Sequence, residues 1–256
     1  MAKGRESAHH CRPMKILIAG LLSALVVSEA RAQDPFEIQV YLYQTVPKGK
    51  FNLETHLNTV ARGATKGEDH LTFELTRGIT DYFELAGYLV TASRPGVNGE
   101  IAGWRVRPRF RVPEDKLPFK FSLSTEVAFP KDVYEENEIT LEVRPIFEWT
   151  FDKVQLAVNP VVGRSLRGPD AAEGWDFEPG LHLGYRVTEK LEPSLEYYGS
   201  TGLVHDPLPG DLQVHQIYPG FDYRFNENVL LNVGVGFGAT DAGNTLVYKM
   251  RFGWMW

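Results

Sequence analysis

One cysteine, Cys11, stands in 256 residues, so the chain closes no internal disulfide. The residues before it, Ala8-His9-His10, do not form a lipidation box. Beyond the N-terminus no run of about 18 apolar residues occurs, which excludes a helical membrane protein. Positive charge is also short: 27 Lys and Arg face 33 Asp and Glu, a formal charge of -6 with no basic tail, so nucleic acid is not an expected partner. The histidines after residue 32, His56, His70, His182, His205 and His215, supply no Ser-His pair with a third orienting group. His205, Asp211 and His215 match no compact metal-ligand spacing. The run Gly234-x-Gly236-x-Gly238 lies inside a strand pattern with no helix after it, so it is not a dinucleotide loop; it leaves room beside bulky neighbours. The expectation is a protein that is not an enzyme and holds no cofactor or metal.

What the front end does have is an export signal. Met14-Lys15 leads into the apolar run Ile16 to Val27, and Ala30-Arg31-Ala32 gives an A-x-A ending with cleavage after Ala32. Residues 1–32 are thus read as a cleaved signal peptide, with Met14 as a candidate true start. Its loss removes five bases and two acids and takes the formal charge from -6 to -9. Cys11 leaves with it.

At the other end, Tyr248, Met250, Phe252, Trp254 and Trp256 form an unbroken apolar file, with Lys249, Arg251 and Gly253 on the opposite parity. Period two means a strand with one apolar face. Chain ends ordinarily fray into water, so a terminus this aromatic has to be held in place. It resembles the closing strand of bacterial outer-membrane barrels, whose terminal aromatic residue is read by the assembly machinery; Tyr248, Phe252, Trp254 and Trp256 are the residues that would meet it.

The same unit repeats upstream. Candidate strands are Phe51 to Ala61, Asp69 to Arg77, Tyr82 to Ser93, Ile101 to Val112, Phe119 to Phe129, Glu138 to Thr150, Val154 to Arg164, Trp175 to Val187, Leu191 to Ser200, Leu212 to Phe225, Val229 to Ala239 and Thr245 to Trp256. Their connections alternate: tight at 78–81, 113–116, 151–153, 188–190 and 226–228, and mostly longer at 62–68, 94–100, 130–137, 165–174, 201–211 and 240–244. Short turns on one rim and longer loops on the other are the membrane-barrel pattern, and the last strand ends on the short-turn, periplasmic side. Strands of 10 to 13 residues suit a tilted crossing of about 9 to 11. All five tryptophans lie on the apolar parity with Phe83, Phe110, Phe121, Phe147, Phe177, Phe221 and Phe237, a set too large to pack inside a soluble barrel. The expected fold is all-β: one transmembrane antiparallel β-barrel of about 12 strands over residues 51–256, facing outer-membrane lipid.

Two features do not fit that scheme. Phe36 to Val46 also alternates like a strand, and a thirteenth strand is excluded by the even count, so residues 33–50 are expected outside the wall, in the lumen or against the periplasmic rim. Pro108, Pro145, Pro160, Pro179, Pro193 and Pro219 fall mid-strand on the apolar parity, where each removes a ladder donor; bulges or bends are expected there.

Leu75-Thr76-Arg77-Gly78-Ile79-Thr80-Asp81-Tyr82-Phe83-Glu84-Leu85 resembles the "YGLTDrlELgl" turn of the outer-membrane barrels of the MetA-pathway phenol-degradation family. Gly234-Val235-Gly236-Phe237-Gly238-Ala239-Thr240-Asp241 is similar to their "GxGfGLTD" strand end, and Val46-Pro47-Lys48-Gly49 is a weaker echo. The resemblance implies a transporter or porin-like barrel and carries over no site residue. Its name suggests aromatic substrates, which nothing in the interior pattern supports.

On the polar parity, Arg105, Arg107, Arg109 and Arg111 stack along one strand as a ladder of guanidiniums facing inward. Fixed charges of this kind set selectivity in pores. Lys120, Glu126, Glu142, Arg144, Glu178, His182, Glu196, Asp222 and Arg224 complete the candidate lumen lining, with Glu84, Glu138, Glu148, Asp176, Arg186 and Glu192 also on inward positions. A twelve-stranded wall has a backbone diameter of about 24 Å and leaves roughly 10 Å between side chains. The expectation is a channel for small, charged or polar solutes. The alternatives are a barrel closed by its own charge pairs, a structural or adhesive barrel and, more remotely, a lipid hydrolase.

Overall fold

The computed structural model describes residues 34–256; the signal peptide read at 1–32 lies outside the described residues. Twelve strands follow one another: β1 (Phe51–Arg62), β2 (Asp69–Thr80), β3 (Phe83–Arg94), β4 (Val97–Arg111), β5 (Lys120–Pro130), β6 (Ile139–Phe151), β7 (Val154–Arg167), β8 (Asp176–Tyr185), β9 (Leu191–Ser200), β10 (Val214–Asn226), β11 (Val229–Gly238) and β12 (Leu246–Met255). Each pairs antiparallel with its sequence neighbours, and β1 pairs with β12 to close the barrel. The seam runs from Asn52 opposite Met255 to Arg62 opposite Leu246. At its foot Phe51 and Trp256 exchange both backbone hydrogen bonds at 3.0 Å, and their rings stack 5.7 Å apart. The terminus is held by the start of the wall.

Alternation along each strand determines what lies on either side. In β3 and β4 the buried file contains Glu84, Tyr88, Arg105, Arg107 and Arg109, while Leu85, Leu89, Trp104 and Phe110 are exposed. Trp254 and Trp256 are exposed as well, and Phe119, Phe121, Phe147 and Trp149 make a contiguous aromatic patch across β5 and β6. Charges inside and large apolar groups outside would be strongly unfavourable in water; against hydrocarbon the arrangement is the favourable one.

The long-loop rim departs from expectation at one place. Instead of a loop over 94–100, β3 and β4 run on to a two-residue turn, Pro95-Gly96, with Arg94 paired to Val97. Gly96 takes φ +82, which proline before it and glycine at the second corner position allow. The remaining longer loops stand as expected, and 168–175 contains a 3-10 turn, Pro169–Ala172.

The bulges expected at the prolines are absent. Pro160 faces Pro179 directly, Pro108 faces Leu85 and Pro193 faces Phe221, all without a change of register. Between β6 and β7 the ladder skips from Val143↔Val162 to Phe147↔Val158, and between β4 and β5 from Val106↔Val127 to Arg109↔Ser124, again in constant register. A missing N–H deletes a rung without inserting a residue, so the register carries on unchanged. The register shifts that do occur sit nearer strand ends, as at Val60/Arg62 and Arg224/Asn226.

Residues 34–50 form no strand; 34–46 run through the interior, with Ile38, Val40, Tyr41 and Tyr43 buried, and 47–50 are exposed at the short-turn rim, where Gly49 and Lys50 bond Gly78. Ile38 and Val40 pack with Ala157, Tyr198, Tyr218 and Val247 of the wall. Tyr218 fits because Gly236 has no Cβ: its ring occupies that space.

Candidate functional site

An extended segment without strand partners needs other partners for its backbone, and wall side chains supply them. Asn159 of β7 accepts from Tyr41 N–H at 2.7 Å and donates to Tyr41 C=O at 3.0 Å. Glu148 accepts from Tyr43 N–H at 2.8 Å, and Glu84 accepts from Val46 N–H at 2.6 Å. Asn58 and Thr72 donate to the carbonyls of Pro35 and Phe36, both at 2.8 Å. Lys249 donates to Ile38 C=O and Arg144 to Gln39 C=O.

The arginine file lies against this segment. Arg105 pairs with Asp34 of the segment and with Glu126 at 3.1 Å. Arg107 binds Glu74 and lies 3.2 Å from Glu84; Arg109 is 3.1 Å from Glu84 and donates to Gln44 C=O. The Tyr41 ring sits among Arg107, Arg109 and Arg144, whose guanidinium carbons stand 4.9, 5.4 and 4.2 Å from its centroid. Arg111 is placed differently: half-buried at the short-turn rim, it donates to Asp81 C=O and to the Tyr43 hydroxyl. Burial pushes the Asp34 carboxyl up, but the facing Arg105 outweighs it and holds the group below its ordinary value.

The other predicted lining residues divide by position. Arg144 pairs with Glu142 at 2.8 Å, and Lys120 reaches Glu148 at 3.3 Å from a less buried position. Across the lumen, His182 lies 3.4 Å from Glu196, which also binds Lys249. Asp222 accepts from Asn232 at 3.1 Å. Arg224 lies 3.7 Å from Glu192 nearer the short-turn rim. Two wider inward positions are corrected: Glu138 is exposed and pairs with Arg167 at 2.8 Å on the loop side, and Arg186 is exposed just beyond β8. Both lie at or past a strand end, where parity ceases to determine facing.

Several residues were not singled out from sequence: Asp34, Glu37, Tyr41, Tyr43, Asn159, Glu54, His56 and Glu74. The last three share the inward parity of β1 and β2, which is the signal that could have found them. Two buried groups bring together metal-capable atoms within 4.8 Å: Glu37, His56 and Glu74, and His182, Glu192 and Asp222.

A family model described as "Putative MetA-pathway of phenol degradation" matches residues 23–254. The chain belongs to that family. No curated protein matches the sequence. Among solved structures, this MetA-pathway barrel is similar to an outer membrane channel from Pseudomonas putida F1, with TM-score 0.57 and 10% identity over 86% of this chain and 100% of that one. It is similar to the KdgM porin, with TM-score 0.54 and 10% identity over 79% and 98% of the two chains, and to the NanC porin, with TM-score 0.55 and 6% identity over 80% and 98%. These are likenesses of fold, and together with the outward apolar face they place the MetA-pathway barrel in the bacterial outer membrane.

Above the segment, toward the long-loop rim, the barrel keeps a cavity of about 600 Å³. Asp34, Phe36, Arg105, Glu126, Glu142 and Tyr134 are among its lining groups. Aromatic surface beside charges of both signs suits a small polar solute.

Proposed function

We propose that this barrel is an outer-membrane channel for small charged or polar solutes, and that its path is the lumen in which residues 34–46 lie. The observation that carries this reading is how the segment is held. Over residues 34–46 it contributes no rung to the sheet, backbone pairing with β2 beginning only at Gly49 and Lys50 opposite Gly78; side chains grip it, and those contacts can be released without opening the wall. The cavity of about 600 Å³ on the long-loop side has room for a small molecule. Lumen charges of both signs favour ionic or zwitterionic solutes over free aromatics. The outward Tyr248, Phe252, Trp254 and Trp256 supply the surface by which the assembly machinery would recognise the chain. The dense pairing of Arg105, Arg107, Arg109 and Arg144 favours a second reading, a barrel kept closed by its own charges.

Planar-bilayer recording separates the two. The full chain is expected to show small, intermittent conductance, and a variant lacking residues 34–46 a larger and steadier one. Replacing Arg107 and Arg109 by Glu in that variant should shift selectivity toward cations. If the shortened chain gives heat-modifiable mobility, and so forms a barrel, yet conducts nothing, the channel reading fails.

A further inference from the structure

Three carboxylates gather around one buried imidazole where the luminal segment meets β1 and β2. His56 is 1% exposed, and its Nε2 has no hydrogen-bond partner. Glu54 Oε2 lies 3.7 Å from that nitrogen and Glu74 Oε2 3.9 Å, too far for hydrogen bonds. Glu37, from the segment, brings a carboxylate oxygen into the same group, within 4.8 Å of the His56 and Glu74 atoms.

One oxygen of each acid has an identified donor. Glu54 Oε1 accepts from Arg251 at 3.0 Å and from Asn52 at 3.1 Å. Glu74 Oε1 accepts from Arg107 and Thr76, and Glu37 Oε1 accepts from the Tyr41 hydroxyl. Each carboxylate is therefore oriented by a donor on one oxygen, the outer-shell arrangement that metal-binding carboxylates show. Two guanidiniums bind two of the three acids, Arg107 on Glu74 and Arg251 on Glu54, and Glu37 takes the Tyr41 hydroxyl, so carboxylates outnumber guanidiniums around the His56 imidazole. Ligand atoms bonded at about 2.0 to 2.2 Å in a tetrahedron stand roughly 3.3 to 3.6 Å apart, so Glu54 and Glu74 need to approach His56 by only a few tenths of an ångström, and Glu37, within 4.8 Å of the His56 and Glu74 atoms, by at most about 1.5 Å. One imidazole nitrogen with carboxylate oxygens suits a borderline first-row dication better than calcium or magnesium. The second buried group is less suited, because two guanidiniums, Arg186 and Arg224, share the single Glu192 carboxylate at 3.6 and 3.7 Å, whereas Glu74 and Glu54 each pair with one.

We propose that Glu37, His56 and Glu74, with Glu54 at their edge, bind one first-row divalent cation such as Zn²⁺ and thereby tie the luminal segment to the first two strands of the wall. No local motif announces it, since the ligands lie on three separate stretches of chain. The site needs Glu37 in the lumen, not the passage of any solute, so its test stands apart from conductance.

The experiment uses the folded barrel in detergent, stripped with chelator and titrated with Zn²⁺ by calorimetry, then with Co²⁺ followed by its visible absorption. The expected result is one equivalent bound per chain. His56→Gln and Glu37→Gln should each weaken binding by about 10- to 100-fold, whereas His182→Gln should not. Glu37→Gln changes no wall residue, and heat-modifiable mobility establishes that each variant is a barrel. Bound Zn²⁺ should also slow amide exchange around Glu37. Absence of stoichiometric binding in the folded wild-type chain overturns the proposal, as does binding that survives both His56→Gln and Glu37→Gln or disappears with His182→Gln.

Discussion

The side-chain amide of Asn159 takes both backbone groups of Tyr41, N–H at 2.7 Å and C=O at 3.0 Å, and so does for the luminal segment what a neighbouring strand would otherwise do. One residue of β7 thereby replaces a rung of sheet. Asn159→Ala leaves a buried donor and acceptor unpaired, a loss of about 1 to 3 kcal/mol for each group. The expected outcome is amide exchange at Tyr41 and Tyr43 faster by about tenfold or more, with the wall strands unchanged.

Tyr41 is the segment's main anchor, buried among Arg107, Arg109 and Arg144. Tyr41→Ala removes the ring and is expected to cost roughly 3 to 5 kcal/mol of segment docking, by analogy with other large aromatic truncations. In bilayers the variant should spend a larger fraction of time open. Tyr41→Phe keeps the ring over the guanidiniums and should stay near wild type in that measurement, although it loses the hydrogen bond to Glu37.

The strands were legible because a sheet between lipid and a polar interior imposes period two directly on the sequence. Tyr248 to Trp256 and the alternation in β3 follow from that rule alone. The turn at Pro95-Gly96 was not, because Arg94 to Glu100 is rich in turn residues whether the strands stop early or run to the corner. Phe36 to Val46 reads like a strand for a physical reason: it is extended and half apolar. Its partners are the side chains of Asn159, Glu148 and Glu84, 118, 105 and 38 residues away, and no local pattern encodes them. The arginine file was visible by parity, whereas its pairing to Glu74 and Asp34 depends on how neighbouring strands and the segment are brought together.

Acid should release the outer end of the segment only late. Asp34 sits below its ordinary carboxyl value, so its contribution is fully present above about pH 4 and is lost as pH falls through the lower folded value. Between pH 8 and 5 the Asp34–Arg105 contact should not change. Amide exchange at Phe36, whose N–H is held by the Asp34 carboxylate, measured across pH and corrected for intrinsic rates, should show release of this contact only below about pH 4; release near neutrality would contradict the assignment.

Gly236→Ala places a methyl group against the ring of Tyr218. Overpacking of this kind typically costs about 1 to 3 kcal/mol. A lower urea midpoint for loss of the heat-modifiable band is the expected outcome, and pairing the change with Tyr218→Leu should recover part of it.

Deleting Trp254 to Trp256 removes the foot of the seam together with its stack on Phe51. The amount of heat-modifiable barrel recovered from outer membranes should fall strongly, while the amount of chain exported should not.

That seam also sets an order of events. Eleven of the twelve contacts between strands join neighbours in sequence, and the twelfth joins β1 to β12. It can form only after the whole wall has been delivered, since its two halves lie at opposite ends of the barrel sequence. Residues 34–50 lead directly into β1, and 34–46 lie inside the finished ring, so they are most simply laid along the inner face while the sheet is still an open trough. Closing the cylinder then encloses them, and a slow-closing seam would lengthen the time available for that loading.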